Sequence, residues 1–517
     1  MLRDAATATM TPLDSNPEQR LASLQQLFAE MLEKRDLIIA SNRGPVEYSI
    51  QADGSLASTR GSGGMVTALM AAARFVPATW VASAMTEGDR IAAERAGDDL
   101  LKVPEHQLNV RFVAVPPAVY QRHYYVFCNP LLWFIQHSMW NTPRTPNIGR
   151  AVYEAWETGY IAVNEAIAAA VLKEARAHKK PSYVLLQDYH LYLAPAIVRR
   201  EAPEATILHF THIPWPGPRT WGLLPEFMRR RIHEDMLACD IVGLQTASDV
   251  RNFLHSCEDI VLGVDIDYGR WNIRYNGHTT RVRNYPISID TAGLLEFSHS
   301  EEVEGYRTSL ASLAGEQTIV RVDRSEPSKN VIRGLRAYEL LLDRYSDLRG
   351  RVNLVQFLVP SRSDLGVYQT YTDEIFELVD SINDNFGSLE WQPVQVLYEN
   401  NYAQAIAGMY HYDVLMVNPL VDGMNLVAKE GPLVNKGDGV LLISEMAGAH
   451  EQLKQYSLNV SPTDLEGTVN ALHTALTMPS EERRRRADAL KALIQEEDIV
   501  HWLESQFRDL MAISEGR

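Results

Sequence analysis

Short apolar runs of roughly four to eight residues recur along this chain, each followed by a polar loop and then by residues at helical spacing. They lie at 37–40, 184–186, 206–210, 241–245 and 282–287, and again at 318–322, 352–359, 394–397, 413–417 and 439–444. Such continuous, β-branched runs are those of strands buried on both faces. The spacing predicts helices at Asn16–Lys34, Met65–Phe75 and Val331–Tyr345, and at 464–478, 480–495 and 498–513. In the first of these, Leu21, Leu24, Leu27, Phe28 and Leu32 share one face, which fits packing or assembly. Alternation of strand and helix argues a parallel sheet covered on both sides. It restarts near residue 317, so the expectation is an α/β protein of two doubly wound domains with a ligand cleft between them.

Composition narrows the function. The 517 residues are 46% hydrophobic and 22% charged, as in a soluble globular protein of two to three domains. A net charge of −17 excludes a broadly nucleic-acid- or anionic-membrane-binding surface, so local Arg and Lys clusters become informative. Cys128, Cys239 and Cys257 have neither metal nor disulfide spacing, which fits a reducing cytoplasm. Residues 1–20 are polar and contain acids, unlike a signal peptide. No apolar run approaches the ~18 residues of a membrane span.

Candidate chemistry gathers in the loops after the strands. Val417–Glu430 reads V-N-P-L-V-D-G-M-N-L-V-A-K-E: a strand end, a Pro and Gly break, then helix formers. At such a corner the helix amides face anions, and Gly423 permits close backbone approach. Asp422 sits at the loop tip, and Glu430, two turns on, suits neighbouring ribose hydroxyls. By spacing alone this is equally an ordinary strand-to-helix turn between solvated acids. Arg324 and Lys329 bracket the loop after 318–322, where a diphosphate or plain solvent would both suit them. Gly61-Ser62-Gly63-Gly64 reads as a phosphate cradle or as a flexible hairpin loop, and is not a P-loop. Tyr124, Tyr125, Phe127, Trp133, Phe134 and Trp140 form an aromatic stretch, mostly core, with room for one or two sugar contacts. Asp188-Tyr189-His190 and His212-Ile213-Pro214-Trp215-Pro216 follow two more strands. Asp265-Ile266-Asp267 matches a metal-binding D-x-D, but with Trp271–Tyr275 and the Asn276-Gly277 turn it reads as an antiparallel meander, and no metal site is expected.

In order along 37–515, the chain carries S-N-R-G-P (41–45), Gly63-Gly64, the Tyr124–Trp133 segment, D-Y-H (188–190) and H-I-P-W-P (212–216). After these come L-Q-T (244–246), R-S-E-P-S-K-N (324–330), P-S-R (360–362) and D-G-M-N-L-V-A-K-E (422–430). With these motifs the chain resembles the trehalose-6-phosphate synthase family of retaining glycosyltransferases. The resemblance implies a GT-B fold with a helical extension at 1–36 and a Rossmann-like acceptor domain at 37–290. A Rossmann-like nucleotide-sugar domain at 291–480 and C-terminal helices at 481–517 crossing back would complete it.

The resemblance also implies roles. Gly64 would approach the donor diphosphate, Arg324 and Lys329 would neutralise it, and Glu430 would take the ribose. Asp422 would hold the donor glucose, with the amides of Gly423, Met424, Asn425, Leu426 and Val427 facing sugar and phosphate. His212 would lie at the reacting centre. Asp188 would bind acceptor hydroxyls, and Arg43, Tyr124, Trp133 and Arg362 would complete the acceptor site around a 6-phosphate. The implied reaction is transfer of glucose from UDP- or GDP-glucose to glucose 6-phosphate, forming α,α-trehalose 6-phosphate without a metal or other cofactor. A cytoplasmic homo-oligomer, dimer or tetramer, is also implied. No D-x-D-G-T phosphatase motif occurs, so a separate phosphatase is expected to release trehalose.

There are departures from the family pattern. R-S-E-P-S-K-N replaces R-L-D-Y-S-K-G, Val421 replaces the Arg before D-G-M-N, and Ala82-Ser83-Ala84-Met85 replaces G-W-S-G. Trp80–Ala84 and P-L-V-N at 432–435 are similar to the pseudo-glycosyltransferase relatives. A sibling transferase or pseudo-glycosyltransferase acting on a cyclitol or glycerol phosphate is therefore an alternative. A sugar-nucleotide epimerase and a non-enzymatic sugar-phosphate sensor stand further off, since the former needs no acceptor arginines and the latter would lose Arg324, Lys329 or Asp422.

Overall fold

The computed structural model describes residues 17–61, 66, 69–70, 77–103, 108–177, 180–313, 315–362 and 366–516. The chain divides into two compact units: residues 1–287 with 499–517, and residues 288–498.

In the first unit the strands are β1 (Asp36–Ser41), β2 (Val46–Ile50), β3 (Leu56–Arg60), β4 (Ala78–Ser83), β5 (Leu101–Lys102) and β6 (Leu108–Val113). They continue with β7 (Ser182–Gln187), β8 (Thr206–Phe210), β9 (Ile241–Leu244), β10 (Asp265–Asp267), β11 (Asn272–Tyr275) and β12 (His278–Asn284). Ten of them form one sheet in the order β10-β11-β12-β9-β8-β7-β1-β4-β6-β5. Its middle is parallel, with Ile38 beside Thr79 on one side and Val184 on the other. Successive strands therefore step outward from β1 in both directions, and the switch point lies between β1 and β7. Both of these strands are buried along nearly their whole length, as their apolar runs require. The expected meander is present as β10–β12, all antiparallel. β2 and β3 form a separate hairpin. It ends at Gly61, whose missing Cβ would lie 2.4 Å from the Gly44 carbonyl oxygen, so only glycine closes it. Gly63, Gly64 and most of the expected 65–75 helix lie outside the described residues.

Two helices close this unit from the chain ends. Pro17–Lys34 buries Leu24, Leu27, Phe28 and Met31. Phe28 meets Phe507 edge-on, with centroids 4.8 Å apart, on the helix Ile499–Glu515. From that helix Trp502 donates to the Tyr285 carbonyl at 3.1 Å and packs against Phe210.

The second unit holds β13 (Gln317–Arg324), β14 (Val352–Val359), β15 (Val394–Tyr398), β16 (Val414–Val417), β17 (Val440–Ser444) and β18 (Leu458–Val460). All pair in parallel, in the order β15-β14-β13-β16-β17-β18. Numbered within the unit this is 3-2-1-4-5-6, the order that places a ligand crevice between the first and fourth strands. Helix Val331–Arg344 buries Val331, Leu335, Tyr338, Leu341 and Leu342 in the core that also holds Val414, Leu442 and Leu472.

Helix Ser480–Glu496 departs from the expectation that everything after 480 crosses back. It belongs to the second unit. Ala487, Leu490 and Ile494 are buried, while Arg483 pairs with Asp413 at 2.9 Å and donates to the Asp438 carbonyl at 3.1 Å. Ile499–Glu515 joins the first unit, where Phe507 meets Phe28 and Trp502 meets Phe210. Among the described residues no helix is long and apolar enough to cross a membrane.

Candidate functional site

The second unit gathers its polar residues at the carboxyl ends of β13, β14 and β16. Past Arg324 the chain turns through Pro327–Lys329 into Asn330, a left-handed residue (φ 58°), and then into a helix. Leu420 N–H donates to the Ser328 carbonyl at 2.7 Å, and the Asn330 amide donates to the Asn418 carbonyl at 3.0 Å. These bonds hold the two loops flanking the switch point against each other. The Lys329 ammonium forms an ion pair with the Asp422 carboxylate, both nearly buried. Asn425 donates to the same carboxylate at 3.1 Å.

Behind Asp422 the loop after β17 lies alongside. Asp422 N–H reaches the Met446 carbonyl at 3.1 Å, and Ala449 N–H reaches that of Met424 at 2.9 Å. A Cβ on Gly448 would sit 1.8 Å from the Gly423 oxygen, so glycine is obligatory there. Asn425 is left-handed (φ 72°) and leads into the helix Val427–Val434. Within its first turn Ala428 N–H donates to the Asn425 carbonyl at 3.3 Å, and Lys429 and Glu430 N–H both donate to that of Leu426 at 2.8 Å, so an anion at this corner would meet the amides that precede them.

Glu430 and Lys429 point apart. Glu430 accepts from the Tyr402 hydroxyl at 3.2 Å, and burial pushes its carboxyl up to about 7 despite that bond. Lys429 is buried, which pulls its ammonium down to about 7, with Glu497 acting against the shift.

Arg324 is half exposed and pairs with Glu326 at 3.1 Å. Glu326 is fully buried, a residue the motif reading passed over. Burial by itself would raise its carboxyl. Arg324, Arg362, Lys329 and the Ser361 hydroxyl outweigh that and hold it at about 2. Arg362, in the loop after β14, is left-handed (φ 44°), and its guanidinium meets the Tyr368 hydroxyl at 2.5 Å.

At the first unit's switch point stand Arg43 and Asp188. Arg43 pairs with Glu47 at 3.4 Å and is one-third exposed. Asn42 beside it donates to the Tyr120 hydroxyl at 3.2 Å, and the Tyr120 ring stacks on Tyr124 at 5.6 Å. Tyr124 lies on a π-helix, Arg122–Leu132, a wide turn that often marks functional positions. Its ring is nearly parallel to that of His190, 5.9 Å away. Trp133, at the end of the π-helix, is 3% exposed and stacked on His137 at 3.8 Å.

Asp188 is left-handed (φ 70°), and its carboxylate accepts the His212 N–H at 3.1 Å. Tyr160 and Asn164 fasten the rest of that loop through the Tyr189 and His190 carbonyls at 2.7 and 3.0 Å. Burial, and then His209, pull the His212 imidazole down to about 3. It is therefore neutral, with the Nε2 proton given to the buried Gln187 carbonyl oxygen at 2.9 Å and a lone pair left on Nδ1. Gln187, like Glu326, was not singled out by motif, although it directly precedes Asp188.

Four site residues other than glycine, Asp188, Asn330, Arg362 and Asn425, hold positive φ angles. Backbone strain of this kind collects where side chains must be aimed. Asp267 does something plainer: its carboxylate caps a turn through the N–H groups of Gly269 and Arg270, each at 3.0 Å.

Two doubly wound units, each with charged and polar side chains at its switch point, are the architecture of a glycosyltransferase of GT-B fold. The family model for Glycosyltransferase family 20 matches residues 35–512, and the chain belongs to that family. Alpha,alpha-trehalose-phosphate synthase [UDP-forming] of Schizosaccharomyces pombe is 30% identical over 502 residues, 95% of this chain and 93% of its own length. Among solved structures, trehalose-6-phosphate from E. coli bound with UDP-2-fluoro glucose superposes with a TM-score of 0.79 at 26% identity. That match covers 92% of this chain and 98% of the other. The UDP-forming alpha,alpha-trehalose-phosphate synthase from Burkholderia xenovorans in complex with glucose-6-phosphate gives 0.77 at 27%, covering 92% and 100%.

Proposed function

We propose that this protein transfers glucose from UDP-glucose to glucose 6-phosphate with retention, forming α,α-trehalose 6-phosphate and UDP. The observation that carries this is the cluster of Arg324, Lys329 and Asp422 at the switch point of the second unit. Breaking the bond between the sugar C1 and the diphosphate oxygen puts charge on the leaving phosphate. Arg324, Lys329 and the amides of Gly423 to Val427, Met424, Asn425 and Leu426 included, meet that charge, and such preorganised donors are worth ~3 kcal/mol each. Gly64, outside the described residues, is assigned to the same diphosphate by resemblance.

Asp422, shared between Lys329 and the donor glucose, accepts from sugar hydroxyls, and Glu430 accepts from the ribose. His212 stands at the donor sugar as a neutral acceptor through Nδ1, which suits holding a hydroxyl rather than donating a proton. Asp188 takes acceptor hydroxyls. By resemblance Arg43 and Tyr124 of the first unit, and separately Arg362 of the second, are assigned to the acceptor and its 6-phosphate, and Trp133 to the acceptor as well. The acceptor hydroxyl oxygen bonds to C1 as the phosphate leaves, and its proton departs with the product UDP or to solvent. Dephosphorylation of the product is left to another protein.

The test is incubation with glucose 6-phosphate and each nucleotide-glucose while nucleotide release and product are followed. UDP release dependent on glucose 6-phosphate is expected; release supported only by another phosphorylated acceptor overturns the reading. We also read the reaction as metal-independent, consistent with Asp267 being spent on its turn. EDTA should leave the rate within about twofold, and complete loss restored by Mg²⁺ or Mn²⁺ would reverse this.

Glu430 gives the donor site a pH dependence. Its carboxylate must be ionised to accept two hydroxyls, and it titrates near 7. The donor KM should rise about tenfold from pH 8 to pH 6, as one proton with that pKa requires. Glu430→Gln should start from a higher KM and be flat. The same raised pKa stabilises the fold below about 4.5 and loses that contribution as pH rises through 7. Glu430→Gln should therefore gain more in Tm at pH 8 than at pH 5. A wild-type donor KM independent of pH would remove Glu430 from the donor site.

A further inference from the structure

Arg324 pairs with the fully buried Glu326 carboxylate, and the charges of Arg362 and Lys329 also act on it. Its Oε1 pairs with Arg324 at 3.1 Å and accepts from the Ser361 hydroxyl at 2.7 Å. Its Oε2 is also buried and has no hydrogen-bond partner among the described residues. Burying a carboxylate with half of its acceptor capacity unused is costly unless the group serves something beyond packing. Glu326 lies in the loop after β13, and Ser361 and Arg362 lie in the loop after β14. The two strands are paired up to Arg324 beside Val359, and Ser325 N–H continues the ladder to the Val359 carbonyl at 2.8 Å. Glu326 is thus fixed by backbone at one end and tied to the neighbouring loop at the other.

We infer that Glu326 is a positioning residue that couples donor binding to acceptor binding, by linking the diphosphate cation Arg324 to the acceptor-phosphate cation Arg362. This rests on the functional reading above, which assigns one arginine to each substrate. Without ligand, Arg324 is the guanidinium that Glu326 holds. When the nucleoside diphosphate takes Arg324, the buried carboxylate turns to its remaining partners. The unfilled Oε2 then has capacity for a second guanidinium N–H, and Arg362 is held in place before the acceptor phosphate arrives. An arginine ordered in advance costs less entropy at binding, so UDP tightens the acceptor. By linkage the acceptor tightens UDP by the same factor.

The opposing expectation is a plain counterion. A counterion only weakens anion binding, so its removal tightens both ligands separately and leaves any coupling untouched. Single affinities in a Glu326 variant therefore mix two effects of opposite sign, and the informative quantity is the coupling factor.

Calorimetry on the full chain measures it: glucose 6-phosphate titrated with and without saturating UDP, in wild type, Glu326→Gln, Glu326→Asp and Ser361→Ala. The wild type should bind glucose 6-phosphate at least about fivefold more tightly with UDP present, a typical coupling. In Glu326→Gln the factor should fall to one or below, since two anions without the link only repel each other. Glu326→Asp, which keeps the charge, should retain part of it. Ser361→Ala cuts the tie at its other end and should lower the factor at least twofold, even if Glu326→Gln fails to fold. A wild-type factor of one, or an unchanged factor in a folded Glu326→Gln or in Ser361→Ala, overturns this inference alone. Wild-type protein that binds neither UDP nor glucose 6-phosphate overturns the functional reading, and this with it.

Discussion

Replacing Lys329 with alanine should lower kcat/KM for the nucleotide sugar at least about 100-fold. Arg324→Ala should do the same, because each cation meets charge that develops only as the glycosidic bond breaks. Each variant also leaves a carboxylate without its ion-pair partner. Lys329→Ala strands the Asp422 carboxylate, which is largely buried and loses its ion-pair partner. Breaking such a pair from one side is destabilising, so part of any loss could come from a rearranged loop. The double variant Lys329→Ala/Asp422→Asn tests the stability half alone, and Tm should return; the catalytic half is read from Lys329→Ala assayed well below its Tm. Arg324→Ala strands the Glu326 carboxylate, fully buried although Arg324 itself is half exposed, so Tm should fall along with kcat, limited by the Ser361 hydroxyl that still donates to it. Steady-state kinetics beside thermal melts decide the matter. Near-wild-type kcat/KM in both single variants would rule out a diphosphate at this loop.

Arg362→Ala should act on the other substrate. A charge-assisted hydrogen bond is worth about 1.5–3 kcal/mol, so KM for glucose 6-phosphate should rise about 10- to 150-fold while KM for UDP-glucose changes much less. Arg362→Lys should recover only part of this, since lysine keeps the charge but not the planar fork. The alanine variant should also discriminate less between glucose 6-phosphate and plain glucose. Its backbone stays left-handed (φ 44°), so the substitution removes the side chain without relieving the turn. Tyr368→Phe is a milder companion: it deletes the hydroxyl that the guanidinium meets at 2.5 Å and should raise the acceptor KM several-fold. If Arg362→Ala weakens only nucleotide binding, the acceptor assignment falls, and the specificity for a phosphorylated sugar falls with it.

Much of the fold was legible because buried parallel strands announce themselves locally. The runs at 352–359, 394–397, 413–417 and 439–444 became β14 to β17 within a residue or so. What escaped was the less apolar remainder. β4 is Ala-Thr-Trp-Val-Ala-Ser, fully buried yet rich in small residues. In β6 only every second residue is buried, and Arg111 is interposed, paired with the buried Glu174. β18 has three residues. The hairpin at 46–60 gives no strand signal, because much of it is exposed and carries little pattern.

The sequence by itself determined the two strand-helix series, the cations and carboxylates at strand ends, and the family resemblance. All three are written in local spacing, and local spacing follows from backbone geometry. Only the tertiary structure decided which polar groups became buried together. It buried Glu326 against Arg324 and Ser361, gave His212 its neutral tautomer through Gln187, and buried Trp133 against His137. It also assigned helix 480–496 to the second unit and 499–515 to the first. These outcomes depend on contacts between residues far apart in the chain. A carboxylate, an amide or an indole reads the same in sequence whether it ends in water or in a low-dielectric interior, and that difference sets its charge, its partners and its use.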